Sequence, residues 1–386
     1  MRTEAPQMIL RRSDPRPGIR CSPTDKPPWN SAKGIDRDLK KYSKKIESFL
    51  TTFLNARRPE MAAVNAWGAD LVGRIRPFLT GGKMIRGSLI LAAHDRFGGT
   101  AGRDAVKAAA AMELFHSAFL IHDDIMDDDP LRRGRPSVHV QYRLLAEQEG
   151  LSDPVGFGRG AALCAGDVLL FMGHEILASL TSPPAVKSDV LRLFSRELAH
   201  VGPAQIQDVY FAKTSREVTR EDIFRLYTYK TARYTFSLPL SVGARLAGVG
   251  PKALRELAEI GRDLGLIFQI KDDELGQFGD KKVTGKPVGS DVGEGKKTLY
   301  YLTLKKALGS ETPPKALSMY GKQRPSPKAI AALNDLMRTR KIPEKVDADV
   351  RRITRRCGRS IRSAKIPAGM KTALDELLSI NLGRTV

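Results

Sequence analysis

Five aspartates fall within seven positions, Asp123, Asp124, Asp127, Asp128 and Asp129, at the end of an apolar run, and two arginines, Arg132 and Arg133, follow them. The whole stretch, residues 113–136, reads ELFHSAFLIHDDIMDDDPLRRGRP. On a helix, residues four apart are turned by only about 40° around the axis, so Asp123 and Asp127 project from one face with Asp124 beside them. Carboxylates held this close repel one another, and a packed helix carries them most readily when a cation lies against it. Hard divalent cations take oxygen ligands, and Mg²⁺ in particular is held by one or two carboxylates plus phosphate oxygens. Arg132 and Arg133 are forked donors of the kind that suits diphosphate oxygens. His116 stands two turns before Asp123 on roughly the same face, either as a packed core histidine or as a further member of the site.

A second acidic pair, Asp272 and Asp273, ends another apolar stretch in FQIKDDELGQFGD, residues 268–280. If the two helices face each other, two opposed carboxylate clusters can hold several divalent ions with a diphosphate completing their coordination. That arrangement suits ionisation of a carbon–diphosphate bond, because the metals neutralise charge growing on the leaving oxygens. A second anionic substrate needs basic groups, and Gly81-Gly82-Lys83-Met84-Ile85-Arg86 places two cations in a glycine loop at a helix start, where free N–H groups favour anions.

The elements that must carry these residues are helices. From Ile35 onward apolar residues recur three and four apart, as in Leu39, Tyr42, Ile46, Phe49 and Phe53, and alternating strand-like runs are lacking. Breaks are expected at Arg58-Pro59, residues 78–83, 97–102 and 129–136, at 152–154, 182–184 and 249–251, and at 279–297 and 309–327. This gives about a dozen helices, an all-α fold forming a large antiparallel bundle around a deep central cavity. Residues 35–386 are expected to form a single domain. Residues 1–34, with six prolines and no periodicity, read as a disordered leader.

Bulk composition narrows the function classes. The chain has 386 residues, 41% hydrophobic and 28% charged. No continuous apolar run approaches the ~20 residues that span a bilayer, and residues 1–18 lack an apolar signal core, so a cytoplasmic location is expected. Cys21, Cys164 and Cys357 have neither disulfide-framework nor metal-ligand spacing. The net charge of +21 is partly terminal, with Arg351, Arg352, Arg355, Arg356, Arg359 and Arg362 forming one helical face. A solvated face is the simplest account, weak attraction to an anionic membrane the next. No recognition motif for nucleic acid accompanies the charge.

Taken together, GGKMIRG, ELFHSAFLIHDDIMD with PLRRG, YKTARY, FQIKDDELGQFGD and TGKPVGSD resemble the ordered motifs of the trans-isoprenyl diphosphate synthases, the polyprenyl synthetase family. The resemblance implies an all-α homodimer that condenses isopentenyl diphosphate with an allylic diphosphate (dimethylallyl, geranyl or farnesyl), using Mg²⁺, three ions per site. By the same resemblance Asp123 and Asp127, supported by Asp124, hold metal with the allylic diphosphate, and Asp272 with Asp273 binds a third ion. Arg132 is expected on the allylic diphosphate. Lys83, Arg86, His116 and Arg133 are expected on isopentenyl diphosphate. Lys230, Thr231, Gln269 and Lys286 surround the leaving diphosphate and the allylic cation, with Gln205 and Asp208 nearby. One departure stands out: the second motif is usually DDxxD, and here its last acid is Gly276. Glu274 falls on the wrong face to replace it, whereas Asp280 is a candidate.

Product length is expected to follow from the residues below the first motif. Ala118 and Phe119 lie five and four positions before Asp123, and Phe115 eight before. One small and one aromatic residue at the nearer places imply geranylgeranyl diphosphate, C20, with C15 or longer products as alternatives. A class I terpene cyclase needs no second diphosphate site, and a non-catalytic subunit commonly loses acids of the first motif, so both fit these residues less well.

Overall fold

The computed structural model describes residues 34–80, 82–100, 102–279, 289–309, 317–321 and 325–384. The expected leader and Lys286 and Asp280 therefore lie outside the described residues, residue 34 apart. The described chain is almost wholly helical, as its periodicity predicts. In order it runs α1 (Ile35–Val64), α2 (Ala66–Thr80), α3 (Ile85–Arg96), α4 (Gly102–Met126), α5 (Val138–Gln148), α6 (Pro154–Ala178), α7 (Pro184–Lys213) and α8 (Arg220–Tyr227). A wide-turned π-helical segment (Thr228–Ser237) leads into α9 (Leu238–Leu246) and α10 (Pro251–Phe278). After α11 (Ser290–Glu294) and α12 (Leu299–Leu308), the chain closes with α13 (Pro327–Thr339), α14 (Ile342–Ser363) and α15 (Ala368–Leu382).

Several boundaries differ from expectation, among them unexpected breaks at Asn65 and residues 214–219 and a short helix within 279–297. α1 does not stop at Arg58-Pro59; it carries Pro59 inside and ends at Val64, an exposed last stretch where one missing backbone bond is solvated. The loop after α4 holds a small antiparallel hairpin that pairs Arg132 with Arg135. At the expected break 152–154 the Asp153 side chain accepts from Gly156 N at 2.9 Å at the start of α6, and a reciprocal Thr219/Asp222 box, not anticipated from the sequence, opens α8.

α4 is the axis of the bundle and packs against α3 and α6. Ala108 to Ala111 are all fully buried, and these short side chains let the backbones come close. A Cβ at Gly87 of α3 would come within 2.7 Å of the Ala109 carbonyl. The same device seats α10 on the π segment, where a Cβ at Gly261 would come within 2.7 Å of the Ser237 backbone.

Averaged over its best window, α6 reaches a mean hydropathy of 1.5 and is long enough to cross a membrane, and 44% of that window is buried in the bundle. The search for unbroken apolar runs overlooked it because Arg159 and Asp167 interrupt a stretch otherwise rich in Gly, Ala and Leu. The arginine face of α14 is also not purely solvated. Arg356 forms a two-bond pair with buried Asp263 of α10, both contacts at 2.7 Å, while Arg355 and Arg359 remain exposed.

Candidate active site

α4 delivers the first acidic cluster at its C-terminal end. Asp123 and Asp124 occupy its last turn, and Asp127 continues it, its N–H donating to the Asp123 carbonyl at 2.9 Å. Each carboxylate has a different neighbour. Asp123 accepts from Gln205 Nε2 of α7 at 2.7 Å, with Lys230 Nζ at 3.7 Å. Lys230 itself bonds Asp208, so Gln205 and Asp208 join the site from α7. Fully buried Asp124 is held by Arg132, whose Nε donates at 2.7 Å, and its second oxygen has no partner. Burial pushes the Asp124 carboxyl up to about 6 against the pull of Arg132.

Asp127 lies 3.2 Å from the ammonium of Lys296. The sequence reading passes over Lys296, which follows α11 and also pairs with Glu294. Its burial disfavours the charge, and Asp127, Glu294 and Asp291 outweigh that and keep it protonated. The doubled lysine of GKKT was the available signal, since a loop lysine between glycine and a helix start has reason to point inward.

A second, basic group lies one to two turns earlier along α4. Arg86 of α3 donates to His116 Nε2 at 3.1 Å, so the ring proton sits on Nδ1 and is directed at the Tyr234 hydroxyl, 2.8 Å away. Burial and the neighbouring arginines hold His116 well below the usual histidine range, hence neutral. The Arg86 guanidinium also lies 4.4 Å from the centre of the Tyr234 ring. Arg133 reaches across to donate to the Phe78 carbonyl at 2.9 Å. Gly82 leaves room there: a Cβ would come within 2.5 Å of that guanidinium and push it aside. Lys83 is exposed, its charge disfavoured by partial burial and by Arg384, with Asp272 opposing. Arg86, His116 and Arg133 are thus brought to one place, whereas the charged neighbours of Lys83 are Arg384, Asp272 and Asp36.

At the end of α10 the two adjacent aspartates part company. Asp272 points outward to Arg384, at 3.1 Å, and that guanidinium stacks on Phe268. Asp273 points inward, where the Tyr227 hydroxyl donates to one oxygen and Gln269 Nε2 to the other at 2.7 Å. The Tyr227 oxygen in turn accepts from Leu299 N at 3.2 Å. Lys230 and Thr231 sit on the π segment against α10, a wide-turned geometry that recurs at functional sites. Periodicity at 3.6 could not have disclosed it, nor the Tyr227, Tyr234 and Arg384 contacts, which come from remote parts of the chain.

The three side chains expected to set product length diverge. Phe119 is half-buried with its ring edge-on to Tyr234 at 5.9 Å, next to the basic group. Phe115 and Ala118 are fully buried, and Phe115 packs on Phe194 and His174 at 5.6 and 5.0 Å. The two cavities of about 180 and 290 Å³ described elsewhere in the bundle are lined by none of these residues.

Residues 74–337 match the polyprenyl synthetase family over more than half of the chain. The chain belongs to that family. Among similar proteins, the geranylgeranyl diphosphate synthase of Sulfolobus acidocaldarius is 36% identical over 226 residues, 58% of this chain and 62% of that one. The short chain isoprenyl diphosphate synthase of Methanothermobacter thermautotrophicus is 38% identical over 219 residues, 57% and 62% of the two chains. This polyprenyl synthetase thus spans 62% of the length of these relatives in the aligned regions. In three dimensions it is similar to a geranylgeranyl pyrophosphate synthase from Corynebacterium glutamicum, whose crystal structure holds isoprenyl diphosphate and magnesium. That likeness has a TM-score of 0.83 and 29% identity, and covers 90% of this chain and 99% of that one.

The donor set suits Mg²⁺. Asp123, Asp127 and Asp272 offer only hard oxygens, and cations stand against each: Lys230, Lys296 and Arg384. Among the described residues no three of His, Cys, Asp or Glu converge into a ready-made cage, and Mg²⁺ needs none when substrate phosphates complete its shell.

Proposed function

We propose that this polyprenyl synthetase condenses isopentenyl diphosphate with an allylic diphosphate in an Mg²⁺-dependent reaction and releases geranylgeranyl diphosphate. The carrying observation is the pairing of two acidic helix ends with a separate basic group. Lys296 links the ends, touching Asp127 and sharing its field with Asp291, which lies over α10. Asp123, Asp127 and Asp272 are assigned to the cations, three as in the family resemblance, with Asp124 held ready by Arg132. Bound Mg²⁺ would neutralise charge on the departing diphosphate.

The protein's own groups divide the remaining work. Lys83, Arg86, neutral His116 and Arg133 hold isopentenyl diphosphate. Lys230, bonded to Asp208, has further ammonium N–H groups to offer the allylic diphosphate, and Arg132 would stand beside it. Gln269 gives its N–H to Asp273, leaving its amide oxygen, with the Thr231 hydroxyl, to face the allylic cation. The homoallylic double bond attacks that cation, and loss of a proton restores an allylic product. The growing tail is assigned to the Phe119 side of α4.

The homodimer implied by the resemblance is assigned to the α5 and α6 side of the bundle, where Leu144, Val155, Leu163 and Phe171 are exposed.

Labelled isopentenyl diphosphate supplied with dimethylallyl, geranyl or farnesyl diphosphate tests the reading. C20 is expected from each primer, and absence of C20, or dominance of C30 and longer, overturns the length assignment. Phe119→Ala is expected to lengthen the product. An unchanged distribution in the folded variant would remove Phe119 from the tail path.

A further inference from the structure

Gly276 stands one turn beyond Asp272, on nearly the same face of α10. A Cβ placed there would meet the Asp291 carboxylate, 2.8 Å from one oxygen and 3.9 Å from the other. α11 is tied to this spot through Gly289, whose N–H donates to the Gly276 carbonyl at 3.2 Å and whose φ of +78° makes the turn into α11. The Asp291 carboxylate therefore covers the face of α10 from which an acid at 276 would project. Asp273 is not free for that purpose: it is buried, and Tyr227 and Gln269 occupy both its oxygens. A second observation marks the place as one that takes positive charge. The buried ammonium of Lys296 sits against Asp127 and Glu294 with Asp291 among its anionic neighbours.

We propose that Asp291, presented across Gly276 by α11, is the carboxylate that joins Asp272 in holding the cation at the second acidic cluster. This rests on the Mg²⁺-dependent reading above and deepens it. Gly276 is then no simple loss of an acid. It is the gap that admits an acid from another helix, and the two positions should behave as one unit. An aspartate at 276 would put a second carboxylate beside that of Asp291, where like charges repel strongly in a partly buried setting.

The test is Mg²⁺ binding by the full-length protein saturated with inorganic diphosphate, followed by calorimetry, with thermal melts with and without Mg²⁺ as a second readout. Removing a group that orients a bound metal costs roughly 10–100-fold in affinity, so Asp291→Asn should weaken Mg²⁺ about tenfold or more. Asp291→Ser, a smaller residue less sensitive to packing, should do the same. Gly276→Asp alone should also weaken it and lower the melting temperature, more than Gly276→Ala, which adds bulk without charge. The double variant Gly276→Asp/Asp291→Asn should recover most of the wild-type affinity. Wild-type affinity in both Asp291 variants, or a double variant no tighter than Asp291→Asn, overturns the proposal while leaving the reading of the site intact. Wild-type protein that binds no Mg²⁺ with diphosphate overturns both.

Discussion

The ends of α4 and α10 carry the same dipeptide, Asp-Asp, and use it differently. On α4 the carboxylates fan out around the last turn, and each meets its own partner: Gln205 for Asp123, Arg132 for Asp124, Lys296 for Asp127. On α10 the two acids split between solvent and core, Asp272 to Arg384 and Asp273 to Tyr227. The contrast teaches that an acidic doublet at a helix end is a pair of directions about 100° apart, and that burial decides which of the two stays open to solvent. At α4 the following turn supplies the extra acid, Asp127. At α10 the corresponding place is Gly276, and Asp291 comes over from a neighbouring helix.

The largest effect is expected at α4. Asp123→Ala or Asp127→Ala should lower kcat by about 10²–10³-fold, the scale for losing one preorganised electrostatic contributor, with the fold retained by circular dichroism. Equal, small losses at both ends would erase the contrast. At α10 the neighbours should separate. Asp272→Asn should raise the Mg²⁺ concentration needed for half-maximal rate at nearly unchanged stability. Asp273→Asn should instead destabilise by about 1–3 kcal/mol, the cost of a disturbed buried polar pair, measured by urea unfolding. Tyr227→Phe should show a similar loss, since it leaves the same carboxylate short of a donor. If Asp273→Asn changes the Mg²⁺ requirement as much as Asp272→Asn does, the division of labour on α10 is wrong.

The smallest effect concerns Arg384. Its ion pair with a half-exposed carboxylate contributes about 0.2–1 kcal/mol, and on the proposed reading a cation at Asp272 would have to displace it. Arg384→Ala should therefore lower the Mg²⁺ requirement by up to about fivefold, read from rate against Mg²⁺ concentration. A raised requirement would show the guanidinium helping the site instead of competing with the metal.

These two helix ends were unequally legible in the sequence. The α4 cluster is local: Asp123, Asp124, Asp127 and Arg132 lie within ten residues, and helical spacing alone puts the acids together. The same spacing places His116 and Phe119 along that helix, whereas it could not show that Phe115 packs into the interior against Phe194. The α10 cluster depends on partners 46 residues earlier in Tyr227 and 112 residues later in Arg384, and no local pattern announces them. Spacing could say that Gly276 lacked an acid and could not say that the space was filled. Arg384 was hidden within a basic C-terminal count that looked like solvated surface. The helical class needed only the apolar stripes, whereas the π segment bearing Lys230 required tertiary packing on Gly261 and Gly265.

The central claim is that the two ends close around Mg²⁺ and diphosphate to join two prenyl units. Purified protein incubated with farnesyl diphosphate and labelled isopentenyl diphosphate, with Mg²⁺ and then with excess chelator, tests it most directly. The account predicts labelled C20 diphosphate with Mg²⁺ and none after chelation. Unextended farnesyl diphosphate in the presence of Mg²⁺, or extension that persists after chelation, would contradict it.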